Sequence, residues 1–270
     1  MSVIDSLRTD AAAVLKDGRA KMILGFRRRE GQLVPAFITG ADQAGTLEYD
    51  PGVKINLAAY LRKPEIRRQM PVGVVAGPAT MRSLVLLAAE SQITEGDILV
   101  LATGDEEYHG VLDIPATAAL LNDKYADLAP DAETLARIAE LSEMTPQQRA
   151  EFWREQFAKC TRCYACRAAC PACYCRQCIV ERNTPQWIST AAAEHGNYAW
   201  NVIRAFHLAG RCTLCGACEA ACPQGIPLML LNAMLAVAAE EEFGAKVGYD
   251  HQAEPLIGTW NENDKEDYIL

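Results

Sequence analysis

The stretch CTRCYACRAACPACYCRQC, residues 160–178, carries seven cysteines in nineteen positions. Forty-two residues after Cys170 the chain writes CTLCGACEAACP, from Cys212 to Pro223. All eleven cysteines fall in these two patches. An odd number of thiols at C-x-x-C spacing points to metal rather than to a disulfide framework.

Length and composition narrow the classes around the patches. A chain of 270 residues, half of them apolar, can bury a core in each of two halves. The net charge of −9 argues against nucleic acid and anionic membrane as partners. No apolar run reaches the ~18 residues of a transmembrane helix. The opening MSVIDSLRTDAAAVLKDGRAK has neither a charged-then-apolar leader nor a twin-arginine pair, so the expected compartment is the cytoplasm. Thiols stay reduced there, which again disfavours disulfides.

The two patches share one spacing. Cys160, Cys163, Cys166 and Cys170-Pro171 stand at x2, x2, x3, and Cys212, Cys215, Cys218 and Cys222-Pro223 repeat it. This is the bacterial two-cluster ferredoxin run, in which the fourth cysteine ligates the other cluster. Three cysteines at x2 spacing wrap three corners of a cube. The fourth, a turn further on, faces away and reaches the neighbouring one. Cluster one is therefore expected on Cys160, Cys163, Cys166 and Cys222. Cluster two is expected on Cys212, Cys215, Cys218 and Cys170. Proline after the fourth cysteine turns the chain away, and Gly216 is expected to let backbone approach sulfur. Structural zinc, the alternative, takes four ligands at one closed tetrahedral centre and has no use for this exchange.

Cys173, Cys175 and Cys178 are left over once both sets are filled. Two readings stay open: reduced cysteines packing as small hydrophobes, or a third metal site completed from elsewhere. A redox-active pair of Cys175 and Cys178 is a further option.

The flanking sequence divides the chain. Residues 1–130 have no cysteine and read as α/β. SVIDSLRTDAAAVLK is a helix, and KMILGFRR and QLVPAFITG are strands about the turn Glu30-Gly31. INLAAYLRK is a short helix. PVGVVAG is a buried strand running into the helix PATMRSLVLLAAESQ, with Gly77 as cap, and DILVLATGD follows as a parallel neighbour. Residues 131–144 form a linker helix. Residues 145–244 form the cluster domain, opened by the capping box Thr145…Gln148. Helices are expected over 147–159, within a region opening at Thr184-Pro185 and covering 199–209, and over 226–242. In the last of these Ile226, Leu230, Leu231, Met234, Leu235 and Ala238 share a face. Residues 245–270 are an acidic tail. Its Leu256, Ile257, Trp260, Tyr268 and Leu270 suit either docking on a partner or strapping the chain's own core.

Helical segments around both runs, and the phrase CTLCGACEAACPQGIPLMLL above all, resemble the α-helical ferredoxin domain of the iron–sulfur subunits of succinate dehydrogenase and of heterodisulfide reductase. CTRCYACRAACPACYCRQC, TPQW and RAFHLAGRCTLCGACEAACPQGIPL together resemble dicluster subunits of flavin-based heterodisulfide-reductase-like, hydrogenase and formate dehydrogenase complexes. Residues 1–130 are distantly similar to beta subunits of deazaflavin-coenzyme-reducing hydrogenase and formate dehydrogenase. Where those relatives carry a Gly-Cys-Asp-Ser-Arg-like turn, this chain reads GPATMR from Gly77 to Arg82, keeping only the arginine.

The resemblance implies two [4Fe–4S] clusters and an electron-transfer subunit working with a flavoprotein and other redox subunits of a hetero-oligomeric oxidoreductase. The alternative is that residues 1–130 bind flavin or deazaflavin directly. No Ser–His–Asp, Walker or HExxH pattern appears, so no catalytic residue is expected. Lys159, Arg162, Arg167 and Arg176 sit among the ligands, where cations raise a cluster's potential. His195 and His207 lie in the cluster half, with His207 expected as a packed or hydrogen-bonding residue rather than a ligand. Trp187, Trp200 and Tyr164 are expected to shield, and Gly73 and Gly77 make no full dinucleotide fingerprint.

Overall fold

The computed structural model describes residues 2–256. Helix α1 (Val3–Lys16) opens on a capping box in which the Ser2 hydroxyl accepts from Asp5 N, and it buries Leu7, Ala11 and Val14 at helical spacing. Strands β1 (Met22–Arg29) and β2 (Gln32–Ile38) form a hairpin. Its two turn residues, Glu30 and Gly31, have φ of 51° and 81°, the left-handed pair such a tight turn requires. The segment expected as a short helix is a 3-10 turn, Leu57–Tyr60, capped by the Asn56 side chain, and helix α2 (Pro64–Arg67) follows it.

Strand β3 (Val72–Ala76) is buried at every position and runs through helix α3 (Pro78–Ala89) into β4 (Ile98–Thr103). The pairing of β3 with β4 is parallel, as the strand–helix–strand order implies. Strand β5 (Tyr108–Leu112) and helix α4 (Ile114–Lys124) complete this half. Neither is expected from the sequence. β5 holds Gly110 at φ 92° and buries no residue fully, so it lacks the apolar alternation that marks a strand. The sheet has the order β2-β1-β3-β4-β5, parallel at its centre and antiparallel at both edges. The α/β reading of this half therefore holds as a mixed sheet.

The second half is helical. It comprises α5 (Ala132–Glu143), α6 (Pro146–Ala158), α7 (Ala165–Ala169), α8 (Glu194–His207), α9 (Ala217–Ala220) and α10 (Leu228–Phe243). Three expectations need correction. Helix α5 is more than a linker, because its Leu141 is buried with Trp153, Phe157 and Leu228 in the core of the helical half. Helix α8 begins at Glu194 rather than near Thr184. The preceding residues fold around Asn183, whose side-chain oxygen accepts from the amides of Trp187 and Ile188. On α10 the buried positions are Leu228, Leu230, Asn232, Ala233 and Ala239, while Ala238 is exposed.

Helix α3 joins the halves. Met81, Leu84 and Val85 pack into the core around the sheet. Its other face presents Ser83, Leu86 and Glu90 to the cysteine half. Ser83 Oγ is 2.8 Å from Thr213 Oγ1, Leu86 packs with Cys170 and Ala172, and Glu90 pairs with Arg211. A helix apolar on nearly all sides is one that is covered on nearly all sides.

The first residues of the expected tail close over this junction. Arg82, 5% exposed, donates to the carbonyls of Leu128 and Val247 and lies over the Tyr249 ring. Tyr249 is buried in the core of the first half. Of the expected tail anchors, Leu256 lies against Gly210; Ile257, Trp260, Tyr268 and Leu270 lie outside the described residues. Up to Leu256, then, the strap reading is the one that fits.

Gly248 makes the strap possible. Its φ is +79°, and an added Cβ would stand 2.5 Å from the Arg82 carbonyl oxygen. Gly248→Ala is expected to cost about 1–3 kcal/mol, the usual range for forced backbone strain. The check is a lower urea midpoint at an unchanged m-value.

Candidate metal centre

Each cysteine run folds as the same two-turn loop. In the first, Arg162 and Tyr164 have φ of 58°; in the second, Leu214 and Gly216 have φ of 57° and 72°. These are equivalent positions, two residues after the first cysteine of a run and one after its second. Left-handed residues at such intervals swing successive amides inward and make an anion-binding concavity. Arg162 N donates to Cys160 Sγ at 3.4 Å, and the amides of Leu214 and Glu219 bond the thiols of Cys212 and Cys218. Gly216 serves this turn through its φ and not through close approach, since an added Cβ would meet only Lys54 Cδ at 3.7 Å. At the equivalent position Tyr164 has no glycine's freedom. Its ring packs edge-on against Trp200 at 4.8 Å, which holds it in the left-handed conformation.

A short helix follows each loop, and the two helices, α7 and α9, touch. This brings the runs face to face. Cys170 lines one cavity together with Cys212, Cys215 and Cys218. Cys160, Cys166 and Cys222 pack against one apolar cluster built on Trp153, Phe157 and Ile226, which also contains Cys218. Cys163 is exposed. The fourth cysteine of the second run thus lies with members of the first, and the fourth cysteine of the first run with the whole of the second. Among the described residues no three His, Cys, Asp or Glu side chains converge as a single ion requires. A cube differs from a single ion here, because each ligand reaches its own iron and the sulfurs stand around a cage.

Charge is the second test of fit. Burial pushes the Cys212 thiol up to about 12 and the Cys218 thiol to about 11, and it also raises Cys166. Ionising such thiols needs a cation in place of the proton, and iron supplies it. Arg62, from the first half, points its guanidinium at the carbonyl oxygens of Arg167, Ala168, Cys170 and Cys173. A cation there caps the C-terminal end of α7 and stiffens the turn that carries Cys170. Asn197 donates to the Cys160 carbonyl at 2.7 Å, and Asn232 Nδ2 stands 3.6 Å from Cys218 Sγ.

The three extra thiols are not gathered. Cys173 bonds Cys170 and packs beside Leu208. Cys178 packs with Val180, Ile188 and Trp200. Cys175 is exposed, and all eleven cysteines are free. Cys173 and Cys178 are thus half-buried, packed thiols, and Cys175 faces solvent. Among the cations marked in the sequence, Arg162 is buried, stacked by Tyr164 and Trp200, and bonded to the Gly196 carbonyl at 2.6 Å. Arg167 pairs with Glu181, whereas Lys159 and Arg176 are solvated. His195 is exposed, and His207, expected to pack, is exposed at the end of α8. Trp200 shields as expected; Trp187 is 65% exposed and does not. In the first half, the Tyr49 hydroxyl covers Gly77 at the start of α3, and Arg82 is spent on carbonyls. The turn from Gly77 to Arg82 is thus filled by the chain itself.

Sequence reading passes over Arg204, Asn197, Asn201 and Asn232. All four are buried. Their signal is a polar stripe on a helix: Asn197, Asn201 and Arg204 lie on the buried face of α8, next to Trp200. Such a face is expected where polar groups, not aliphatic ones, wait on the other side.

Residues 155–226 match the 4Fe-4S dicluster domain family. The F420-dependent formate dehydrogenase subunit beta of Methanocaldococcus jannaschii is 32% identical over 108 residues, 40% of this chain and 28% of that protein. The F420-dependent formate dehydrogenase 1 subunit beta of Methanococcus maripaludis is 33% identical over 108 residues, 40% of this chain and 27% of that protein. The matched region thus spans little more than a quarter of the length of these curated relatives. No described helix is long and apolar enough to cross a membrane. Both cysteine runs lie in a [4Fe–4S] dicluster domain, and two [4Fe–4S] clusters are the cofactors of this iron–sulfur protein.

Proposed function

We propose that this chain is an electron-relay subunit of a cytoplasmic, hetero-oligomeric oxidoreductase, standing between a flavoprotein and another redox subunit. The observation that supports it is the interlocked placement of the two runs, with α7 against α9 and Cys170 in the cavity of the second run. Cluster one is assigned to Cys160, Cys163, Cys166 and Cys222, and cluster two to Cys212, Cys215, Cys218 and Cys170. When bound, each cube takes up and returns one electron at a potential set by its surroundings. The chain's own residues hold, shield and tune. Amides of the left-handed turns donate to sulfur, Trp200 and Phe157 exclude water, and Arg62 fixes the turn between Cys166 and Cys173. The organisation supporting this is an α/β half over 1–130 and a cluster half over 145–244, with α5 packed into the latter.

The relatives named above are beta subunits, which favours a complex over a free-standing carrier. A relay needs a neighbour that converts two-electron into one-electron chemistry, and a flavoprotein does this. The test is anaerobic purification of the tagged chain, with flavin and iron measured in every co-purifying protein. The expected result is a flavoprotein partner and no flavin in the chain isolated alone. Stoichiometric flavin on the isolated chain would move the reading to a subunit that binds flavin or deazaflavin itself.

Iron removal is the second prediction. Apo-protein prepared by anaerobic chelation is expected to lose helical signal and to melt below the holo-protein, because buried thiols then face one another without iron. Equal melting of the two forms would show that the ligand loops fold without their clusters.

A further inference from the structure

Arg204 stands on α8 with 5% of its surface exposed. Its Nη2 donates to the Cys166 carbonyl at 3.2 Å. Its buried Nε has no hydrogen-bond partner among the described residues. The charges it faces are the thiols of Cys173, Cys170, Cys166 and Cys218, in that order, and none of these is a carboxylate. Cys166 belongs to the proposed ligand set of cluster one, and Cys170 and Cys218 to that of cluster two.

A permanent cation in a low-dielectric interior acts on every anion within reach, and arginine cannot discharge itself by losing a proton. Trp200, one turn before it on the same helix face, is 1% exposed and keeps water from this side. Arg204 also bonds the thiol of Cys173, which belongs to neither ligand set, whereas its Nε has no acceptor among the described residues. Sulfur of a loaded site is the acceptor that would complete it.

We infer that Arg204 is a counter-charge shared by both clusters, raising the potential of each. This rests on the crossed ligand sets proposed above. A positive charge favours the more negative, reduced state of a cube, so its removal lowers both potentials. One residue is thereby expected to move two midpoints in the same direction, which none of the surface cations around the runs is placed to do.

The test uses the full chain, purified anaerobically, as Arg204→Gln and Arg204→Lys beside the parent. Iron and acid-labile sulfide are measured first, then the midpoint of each cluster by redox titration followed by electron paramagnetic resonance. A midpoint is independent of amount, so it is read on whatever fraction loads. In Arg204→Gln both midpoints are expected to fall by about tenfold or more in the reduction equilibrium, about 59 mV for one electron. Arg204→Lys, which keeps the charge, is expected to recover most of that shift. Parent-like midpoints in Arg204→Gln, or a shift of one cluster alone, would overturn the inference. If Arg204→Gln binds no iron, restored loading in Arg204→Lys supports the charge role, and failure of both variants overturns it. A parent chain that lacks its full complement of iron refutes the two-cluster reading itself, which keeps that failure distinct.

Discussion

Thiols buried this deeply need cations, and the rest of the structure is arranged around that need. Desolvation raises the half-buried Cys212 thiol and the buried Cys218 thiol, so neither ionises readily by itself. Iron supplies the first layer of positive charge. The protein supplies a second: inward amides from the paired left-handed turns, Arg62 on the turn between Cys166 and Cys173, and Arg204 on α8. Remove the metal and the same shell of donors is left pointing at protonated sulfur. Cluster and fold are therefore one equilibrium in the helical half.

The α/β half holds what the helical half cannot hold alone. Its sheet, with a fully buried central β3, gives α3 a rigid seat. Ser83, Leu86 and Glu90 on the far side of α3 then meet Thr213, Cys170 and Arg211, next to ligands of both runs. Arg62 adds a fourth link. Distance between clusters sets how readily an electron passes, and these links fix both ligand loops to one support. The turn from Gly77 to Arg82 is covered by the Tyr49 hydroxyl, and Arg82 is spent on backbone carbonyls.

Much of this is legible in the residues. The x2, x2, x3-Pro spacing tells of two clusters without any structure, because that repeat is the run of two-cluster ferredoxins. The capping box at Thr145, the turn at Glu30-Gly31 and the strand–helix–strand order place α6, the hairpin and the parallel centre of the sheet. What the residues conceal, they conceal for identifiable reasons. β5 has a glycine in its middle and no alternation. Thr184-Pro185 resembles a helix opening and sets the start of α8 too early, while Asn183 captures those amides for a loop. The apolar face of α10 hides Asn232, and Arg204 escapes notice, because a buried polar residue has no signature until its partner is known. Gly216 suggests a close approach and proves to be a left-handed turn, which its twin Tyr164 manages with the help of Trp200.

The crossed ligation is the claim on which the relay rests, and Cys170 tests it most directly. Cys170 is neighbour in sequence to Cys160, Cys163 and Cys166 but neighbour in space to Cys212, Cys215 and Cys218. The measurement is electron paramagnetic resonance of dithionite-reduced Cys170→Ser, prepared anaerobically and compared with the parent and with Cys222→Ser. Crossed ligation requires that Cys170→Ser alter or abolish the signal of the cluster on Cys212, Cys215 and Cys218 and leave the other near its parent form, with Cys222→Ser doing the converse. Loss of the cluster on Cys160, Cys163 and Cys166 in Cys170→Ser would contradict it and return each run to holding its own four-cysteine site.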